Sequence, residues 1–253
     1  MSFPTPARAL TLDHVTLEVQ RRCVEGRRLG MLRVLTDCSL HVGVGEILAV
    51  VGPAGSGKSA VLDLLAGFAH ASSGQVLVDG HVVAGPSPDR GFVQPSYGLF
   101  PWRTVRQNVT FAAGAAGVRR ADAALALVGL AAVADRPVGD LTATQKRRVS
   151  LAKALVHDPG VLLLDDPFAG LADADRVDLQ DALLGIQAET GVTVVIATRN
   201  VDEAVRLADR VAVLSPLPGR VVTQVPVNSG RPHAARHAVW AALAGVEGYA
   251  AAA

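Results

Sequence analysis

The chain has 253 residues, a net charge of +1 and two cysteines, and half of its residues are hydrophobic. This length allows one sizeable core with a smaller subdomain attached. The balanced charge argues against a nucleic-acid partner, and two thiols cannot form a disulfide framework. Met1–Leu10 contains no apolar secretory segment. The longest apolar run, residues 123–134, is shorter than the roughly 20 residues that span a bilayer, which predicts a soluble cytoplasmic protein.

The first predicted elements are strands. Residues 10–19 and 34–42 alternate apolar and polar side chains, which predicts an antiparallel pair with one solvated face. The basic segment 21–28 between them has two interpretations, a solvated loop or a contact with a nucleotide or partner. The apolar residues 46–51 predict a buried strand. Residues 75–80 end in Asp-Gly, which predicts a strand followed by a hairpin turn.

The stretch after the third strand carries the clearest motif. Gly-Pro-Ala-Gly-Ser-Gly-Lys-Ser at residues 52–59 fits G-x-x-x-x-G-K-[ST], the phosphate-binding P-loop, and a helix is predicted over residues 60–66. Its glycines let backbone N–H groups approach a phosphate, and the helix dipole favours the negative charge. Lys58 is predicted to reach the β- and γ-phosphates of ATP, and the Ser59 hydroxyl to bind Mg²⁺. The predicted nucleotide-binding residues are Gly52, Pro53, Ala54, Gly55, Ser56, Gly57, Lys58, Ser59 and Ala60.

The second half of the chain alternates helices and strands. Strands are predicted over residues 91–94, 161–165, 192–197 and 210–214, and helices over residues 121–135, 142–157, 173–190 and 201–208. This alternation predicts a right-handed βαβ sheet. Ligands of such sheets bind at the carboxyl ends of the strands, where Gly52, Asp165 and Thr198 are expected to gather.

Asp165 ends an apolar strand about a hundred residues beyond the P-loop. This placement matches the Walker B carboxylate, which supports the Mg²⁺ shell in P-loop proteins. The alternative is an aspartate that caps a turn. One lysine and one Mg²⁺ leave much of the negative charge of the γ-phosphate uncompensated, so a second set of hydrogen-bond donors is expected.

Taken together, these motifs resemble the ATP-binding subunits of ABC transporters, in the importer branch for nitrate, aliphatic sulfonates and taurine. The resemblance covers about Leu10 to Val227 and is carried by GPAGSGKS at 52–59, FVQPSYGLFPWRTVRQNV at 92–109, LTATQKRRVSLAKAL at 141–155, VLLLDDPFAGL at 161–171, VDEAVRLADRVAVLSP at 201–216 and LSPLPGR at 214–220. It implies an α/β fold: a P-loop NTPase (RecA-like) core with an N-terminal antiparallel β subdomain and an inserted helical subdomain. The implied domain is residues 1–227, with the helical subdomain at about 95–158. For the Ala-rich tail, 228–253, a packed helix and a disordered end remain alternatives.

The resemblance also implies roles for matching positions. Gln94 corresponds to a glutamine that contacts Mg²⁺ and the attacking water, and residues 95–108 correspond to the surface that faces a membrane permease. Thr142, Ala143, Thr144 and Gln145 occupy the signature position. In this family two such subunits associate head to tail, with ATP between the P-loop of one and the signature of the other. The implied setting is the cytoplasmic face of the membrane, peripherally attached, with a permease, a second ATP-binding subunit and a secreted solute-binding protein.

The chain departs from the family at positions that serve hydrolysis and at positions that serve the association of two subunits around ATP. Asp166 stands where the family has its catalytic glutamate, Arg199 where it has the switch histidine, and Ala172 where it has the D-loop aspartate. Ala143 and Thr144 replace two signature glycines. No aromatic lies between Phe3 and Phe68 to stack on adenine, a role that Arg21 or Arg22 could take.

The predicted catalytic residues are Lys58, Gln94, Asp166 and Arg199. Because the binding parts are intact and the hydrolytic parts are altered, we expect an importer subunit that binds Mg-ATP but, as a homodimer, hydrolyses it slowly or not at all. The alternative is a regulatory or structural ATP-binding module. A small-molecule kinase is disfavoured by residues 141–155 and LSPLPGR. A DNA-associated ABC ATPase is disfavoured because the sequence has no long coiled-coil insertion and no basic field.

Overall fold

A computed structural model describes residues 6–22, 28–114, 117–227 and 232–245. The strands within these residues are β1 (Leu10–Arg22), β2 (Arg28–Val42), β3 (Ile47–Val51), β4 (Ser73–Val78), β5 (His81–Val82), β6 (Arg90–Val93), β7 (Val161–Asp165), β8 (Thr193–Thr198), β9 (Arg210–Leu214) and β10 (Val221–Pro226). The helices are α1 (Lys58–Ala66), α2 (Val105–Ala113), α3 (Gly117–Leu127), α4 (Ala143–Leu155), α5 (Asp173–Thr190), α6 (Val201–Leu207) and α7 (Pro232–Ala244). Residues 23–27 of the basic segment lie outside the described residues.

The chain forms two compact units, the first from Arg8–Ser87 and the residues after Val194, the second mainly from Pro88–Val194. In the first unit, β2, β1, β4 and β5 form a sheet in that order. All three pairings are antiparallel, and the pair of β1 with β2 is the one that the alternation of residues 10–19 and 34–42 predicts. Asp79 and Gly80 have φ values of 48° and 78°, which confirms the predicted hairpin turn because both central residues of such a turn need positive φ.

The remaining strands of the first unit carry the P-loop. β3 is buried along its whole length and runs parallel to β9, while residues 195–198 of β8 flank β3 on its other side. β10 pairs antiparallel with β9 and was not among the predicted strands. Its residues are half-buried or exposed, so it lacks the continuous apolar run that marks a buried parallel strand.

In the second unit, β6 runs parallel to β7, and helices α2 to α5 belong to the same unit. β7 is buried except for its last residue, which is half-buried. The register pairs Val93 with Leu164, so both strands end at the same edge. This parallel pair and helix α5, which spans the predicted residues 173–190, confirm the sequence-based expectation.

The helix predicted over residues 121–135 is wrong in extent. Helix α3 ends at Leu127, Gly129 has φ of 72°, and a short 3₁₀ turn follows at Ala131–Val133. The Leu130 amide donates to the Leu125 carbonyl at 2.8 Å, the pattern of a helix that ends in a left-handed glycine. This helix end was not predicted because the residues on both sides of Gly129 are apolar and buried. The hydrophobic pattern therefore does not change where the helix ends.

The C-terminal tail contains helix α7. It buries Ala235, Val239 and Leu243 and contacts α6, β9 and β10, which corresponds to the packed helix of the two alternatives. None of the helices within the described ranges is long and apolar enough to cross a membrane. The domain boundary at Val227 stays a prediction.

Candidate nucleotide-binding site

The P-loop follows β3 and leads directly into α1. Helix α1 begins at Lys58, two residues earlier than predicted, and its N-cap Gly57 is left-handed with φ of 91°. No side chain caps this end, and its first turn contains no acidic residue. The N-cap residue therefore offers the first-turn amides no side-chain acceptor, which suits a phosphate at the positive end of the helix dipole.

Two glycines of the loop are required by close packing. A Cβ on Gly57 would lie 2.7 Å from Leu35 Cδ2, and one on Gly52 would lie 3.0 Å from the Leu214 carbonyl oxygen. A Cβ on Gly55, by contrast, would meet no atom of the described residues within 4 Å. The loop is therefore packed against the protein on one side and open on the side of Gly55, where a ligand can approach.

The Lys58 ammonium lies against the loop. Its Nζ donates to the carbonyl oxygens of Gly52 at 2.9 Å and Pro53 at 2.8 Å. The hydroxyl of Ser59 is on the first turn of α1, and this residue is exposed. An ammonium, uncapped amides and an exposed hydroxyl are the donor set that a triphosphate with its Mg²⁺ needs, so these residues fit Mg-ATP.

The second unit brings two predicted Mg²⁺ ligands together. Because Val93 and Leu164 are paired in parallel strands, the next residues, Gln94 and Asp165, lie at the same strand edge. Asp166 follows with φ of 45°, a left-handed conformation that aspartate tolerates better than most residues. No group of three histidine, cysteine, aspartate or glutamate side chains within the described ranges could hold a metal by itself.

Arg199 follows β8 in a tightly bonded turn. The Thr198 hydroxyl donates to the buried Glu203 carboxylate at 2.7 Å, and Asn200 caps α6 by accepting from the Asp202 and Glu203 amides. Arg199 itself is exposed. Sequence reasoning missed Thr198, Asn200 and Glu203 as determinants of this turn, although an asparagine before Asp-Glu is an N-cap signal.

The signature residues form the start of α4. Thr142 is the N-cap, and its hydroxyl and the side chain of Gln145 form a reciprocal capping box. Thr144 is only 5% exposed and its hydroxyl has no hydrogen-bond partner among the described residues, whereas Ala143 is exposed. Of the two side chains that replace signature glycines, only the methyl group of Ala143 is therefore exposed at the surface.

The loop of residues 95–104 is organised by a buried residue that sequence reasoning did not assign. The Asn108 side chain accepts from the Phe100 amide at 2.7 Å and donates to the carbonyls of Phe100 at 3.2 Å and Thr104 at 2.9 Å. Trp102 is 77% exposed and Phe111 is 57% exposed. The Arg103 guanidinium lies over the rings of Phe100 and Phe111 at 4.8 and 4.6 Å. This set, Phe100, Trp102, Arg103 and Phe111, is called the aromatic patch below.

Two further predictions concern the arginines proposed to stack on adenine and the position of the D-loop aspartate. The side chains of Arg21 and Arg22 lie outside the described residues, so their proposed stacking on adenine stays a prediction. Ala172 is the N-cap of α5 without a side-chain cap, and Asp173, one residue later, pairs with Arg176 at 2.8 Å.

Comparison with protein families matches residues 35–169 to the family described as ABC transporter. The taurine import ATP-binding protein TauB of Pseudomonas entomophila (strain L48) is 42% identical over 208 residues, which are 80% of each chain. TauB of Pseudomonas putida is 41% identical over 208 residues, covering 80% of this chain and 79% of that protein.

Solved structures show the same fold. The structure of cbiO1 from Clostridium perfringens, described as part of the ABC transporter complex cbiONQ, has a TM-score of 0.72 and 30% identity, covering 85% of this chain and 87% of that one. The ATP-binding cassette MJ0796, in a dimeric post-hydrolysis state with ADP and Pi, has a TM-score of 0.73 and 24% identity, covering 87% and 99%. One conclusion follows from these matches, from the P-loop that leads into α1, and from Gln94 and Asp165 at the strand ends. The chain belongs to the ATP-binding ATPase subunits of ABC transporters, in their importer branch.

Proposed function

We propose that this chain binds Mg-ATP and couples it to the import of a small sulfonate, with taurine as the first solute to test. The observation that carries the nucleotide part is the uncapped N-terminus of α1, with Lys58 held against the loop. The solute class is suggested by the two taurine import relatives. Nitrate and other sulfonates are the remaining candidates of the resemblance.

The roles of the site residues follow from their chemistry. The P-loop amides and Lys58 bind the phosphates, while Ser59, Gln94 and Asp165 hold Mg²⁺, which supplies charge neutralisation at the phosphates. Asp166 accepts a proton from the attacking water or orients it. Arg199 is always charged and cannot cycle a proton, but it can pair with the γ-phosphate.

The aromatic patch supports a membrane permease as partner. Large exposed apolar side chains in a small area mark interaction surfaces, and aromatic residues with arginine are the types enriched at interface centres. Trp102 and Phe111 meet this description, within and beside the loop of residues 95–108. We propose that this surface docks the chain on the cytoplasmic face of its permease, in a system that includes a secreted solute-binding protein.

A second ATP-binding subunit completes the proposed assembly. Thr142 to Gln145 would face the nucleotide of that subunit, and the start of α4, which has no acid in its first turn, is electrostatically suited to a phosphate. We propose that hydrolysis is slowed by Asp166, which is one methylene shorter than glutamate, and by Arg199. A displacement of about 1 Å at a reacting group can cost on the order of a hundredfold in rate.

The second candidate function is a regulatory ATP-binding module with little turnover. The observation that favours it is the coincidence of Asp166 and Arg199 in one chain. The two functions differ in transport, not in nucleotide binding.

The binding test titrates the purified chain with a fluorescent ATP analogue in Mg²⁺ and in EDTA. Lys58→Ala should weaken binding at least tenfold, while Arg119→Ala, an exposed charge on α3, should not change it. Equal affinity in wild type and Lys58→Ala would contradict nucleotide binding at the P-loop.

The transport test uses vesicles that contain the chain with its proposed permease and solute-binding protein. Taurine uptake that needs Mg-ATP supports the importer. Nucleotide binding without uptake of taurine, alkanesulfonates or nitrate supports the regulatory module.

A further inference from the structure

Helix α4 buries an arginine that the sequence patterns do not assign. Arg147 is 3% exposed, and its Nη1 donates to the backbone carbonyl oxygens of Gln94 at 3.1 Å and Pro95 at 2.8 Å. Its guanidinium lies 4.8 Å from the centre of the Tyr97 ring. The side chain thus holds the backbone at the point where β6 ends and the loop of residues 95–104 begins.

Burial of this guanidinium is costly. Its Nε is buried and has no hydrogen-bond partner within the part of the chain that the structure describes, and the side chain lines an apolar crevice with Val93, Leu164 and Phe168. Burial lowers the pKa of Arg147, while electrostatic interaction with Tyr97 and Asp166 opposes that shift. Arginine is not deprotonated in proteins, so a buried positive charge faces the segment that carries Gln94, and it interacts electrostatically with Asp166.

The same face of α4 holds the rest of the loop. One turn after Arg147, the Ser150 hydroxyl donates to the Tyr97 carbonyl at 2.6 Å, and Lys153 donates to the Gly98 carbonyl. Residues three apart on a helix lie on one face, so α4 presents three donors to consecutive parts of the loop. Of these, only Arg147 contacts Gln94 itself.

We propose that Arg147 is a positioning residue that fixes the backbone of Gln94, and so sets where the Gln94 side chain meets Mg²⁺. The Gln94 side chain is exposed, so its own packing does not determine its position. The strand edge fixes only the preceding residue, Val93, through its pairing with Leu164. Arg147 supplies the constraint on the following peptide groups. This inference rests on the proposed role of Gln94 in Mg²⁺ binding.

The test measures how nucleotide binding depends on Mg²⁺ in Arg147→Gln. Residues that orient metal ligands typically cost 10–100-fold in metal affinity when replaced. We therefore expect that the Mg²⁺ concentration giving half of the Mg²⁺-dependent gain in nucleotide affinity rises about tenfold or more. The affinity for the nucleotide in EDTA should be unchanged. Arg147→Lys, which keeps the charge and one donor, should give an intermediate shift.

Arg148→Gln is the matched control, because Arg148 contacts the Val128 carbonyl and Asp178 rather than the loop. It should leave the Mg²⁺ dependence unchanged. In Gln94→Ala, adding Arg147→Gln should produce no further shift, since coupled residues are non-additive. With Trp240→Phe as background, the fluorescence of Trp102 should report a displaced loop in Arg147→Gln.

Several results would overturn the proposal. One is a wild-type Mg²⁺ dependence of nucleotide binding in both Arg147 variants. Another is a loss of nucleotide affinity that is equal with and without Mg²⁺. The third is a shift in Mg²⁺ dependence that adds fully to the shift of Gln94→Ala. If Arg147→Gln does not fold, Arg147→Lys decides by the same criteria. If the wild-type chain shows no Mg-ATP binding, the proposed function fails first, and the two failures are distinguishable.

Discussion

At the scale of single residues, the departures from the family concern hydrolysis more than binding. Asp166 keeps a carboxylate but lacks one methylene, and its φ of 45° suits aspartate better than glutamate. Arg199 is exposed beside a rigid turn. Thr144 is buried, so it does not cover the surface of the signature. The hypothesis of slow hydrolysis therefore depends mainly on Asp166 and Arg199.

Restoring both residues tests this hypothesis. Asp166→Glu with Arg199→His should raise ATP turnover in the presence of the permease by about 10–100-fold, since placement of a reacting group within about 1 Å controls rate. Phosphate release measures the effect. The control is Asp165→Asn added to the double variant, which should abolish the gain. Wild-type turnover of several per second, within the ordinary enzyme range, would show that these residues do not impair hydrolysis.

Cys38 gives a prediction of pH dependence. Burial raises the pKa of its thiol to about 11, whereas an unfolded thiol titrates near 8.5. The folded state therefore binds the proton more tightly. The stability from this thiol is fully present below about pH 8.5 and is lost as pH rises toward 11.

Thiol labelling of a Cys23→Ser chain measures this directly, with residue 23 replaced so that Cys38 alone reacts. Labelling at pH 8 should be much slower in the folded than in the denatured chain, and should accelerate up to about pH 11. Equal rates at pH 8 would contradict a buried, protonated thiol.

At the scale of elements, two helices begin with the same N-terminal capping motif. Thr104 with Gln107 and Thr142 with Gln145 form capping boxes at the starts of α2 and α4. These helices flank the loop of residues 95–104, so their N-termini are fixed locally before any ligand binds. The same residues, Thr142 and Gln145, are proposed to serve the nucleotide of a second subunit.

Removal of the α4 cap should weaken the fold without nucleotide. Thr142→Ala should lower the free energy of unfolding by about 1 kcal/mol, because one amide of the first turn loses its acceptor. Thr142→Ser should restore most of the loss. Denaturant unfolding measures both variants, and an unchanged midpoint in Thr142→Ala would show that the box does not stabilise α4.

At the scale of the whole molecule, the predicted binding residues are distributed along the sequence, from Gly52 to Arg199. A ligand that binds only the folded chain stabilises it by RT ln(1 + [L]/Kd), about 2.7 kcal/mol at a hundred times Kd. Mg-ATP should therefore raise the unfolding temperature of the wild-type chain, and more than ATP in EDTA. Thermal unfolding followed by circular dichroism measures the shift.

Lys58→Ala should lose this stabilisation, while Arg119→Ala should keep it. Asp165→Asn should respond equally to ATP with and without Mg²⁺. A Lys58→Ala chain that is stabilised as strongly as wild type would contradict binding at the P-loop.

Much of the fold could be predicted because its signals are local. Continuous apolar runs identified β3 and β7, and helical spacing identified α5. Two features were missed for physical reasons. Gly129 ends α3 inside a run that is apolar throughout, and β10 pairs at a sheet edge with residues that are half-buried or exposed, so neither produces a distinctive pattern.

The sequence by itself determined the P-loop, because a strand, a glycine-rich turn and a helix start are set by residues within about ten positions. It also determined that Asp165 ends a buried strand. Only the tertiary structure decided that Gln94 and Asp165 share an edge, that Thr144 is buried, and that Arg147 holds the backbone at Gln94. These depend on strand register and on contacts between residues more than fifty positions apart, which no local pattern encodes.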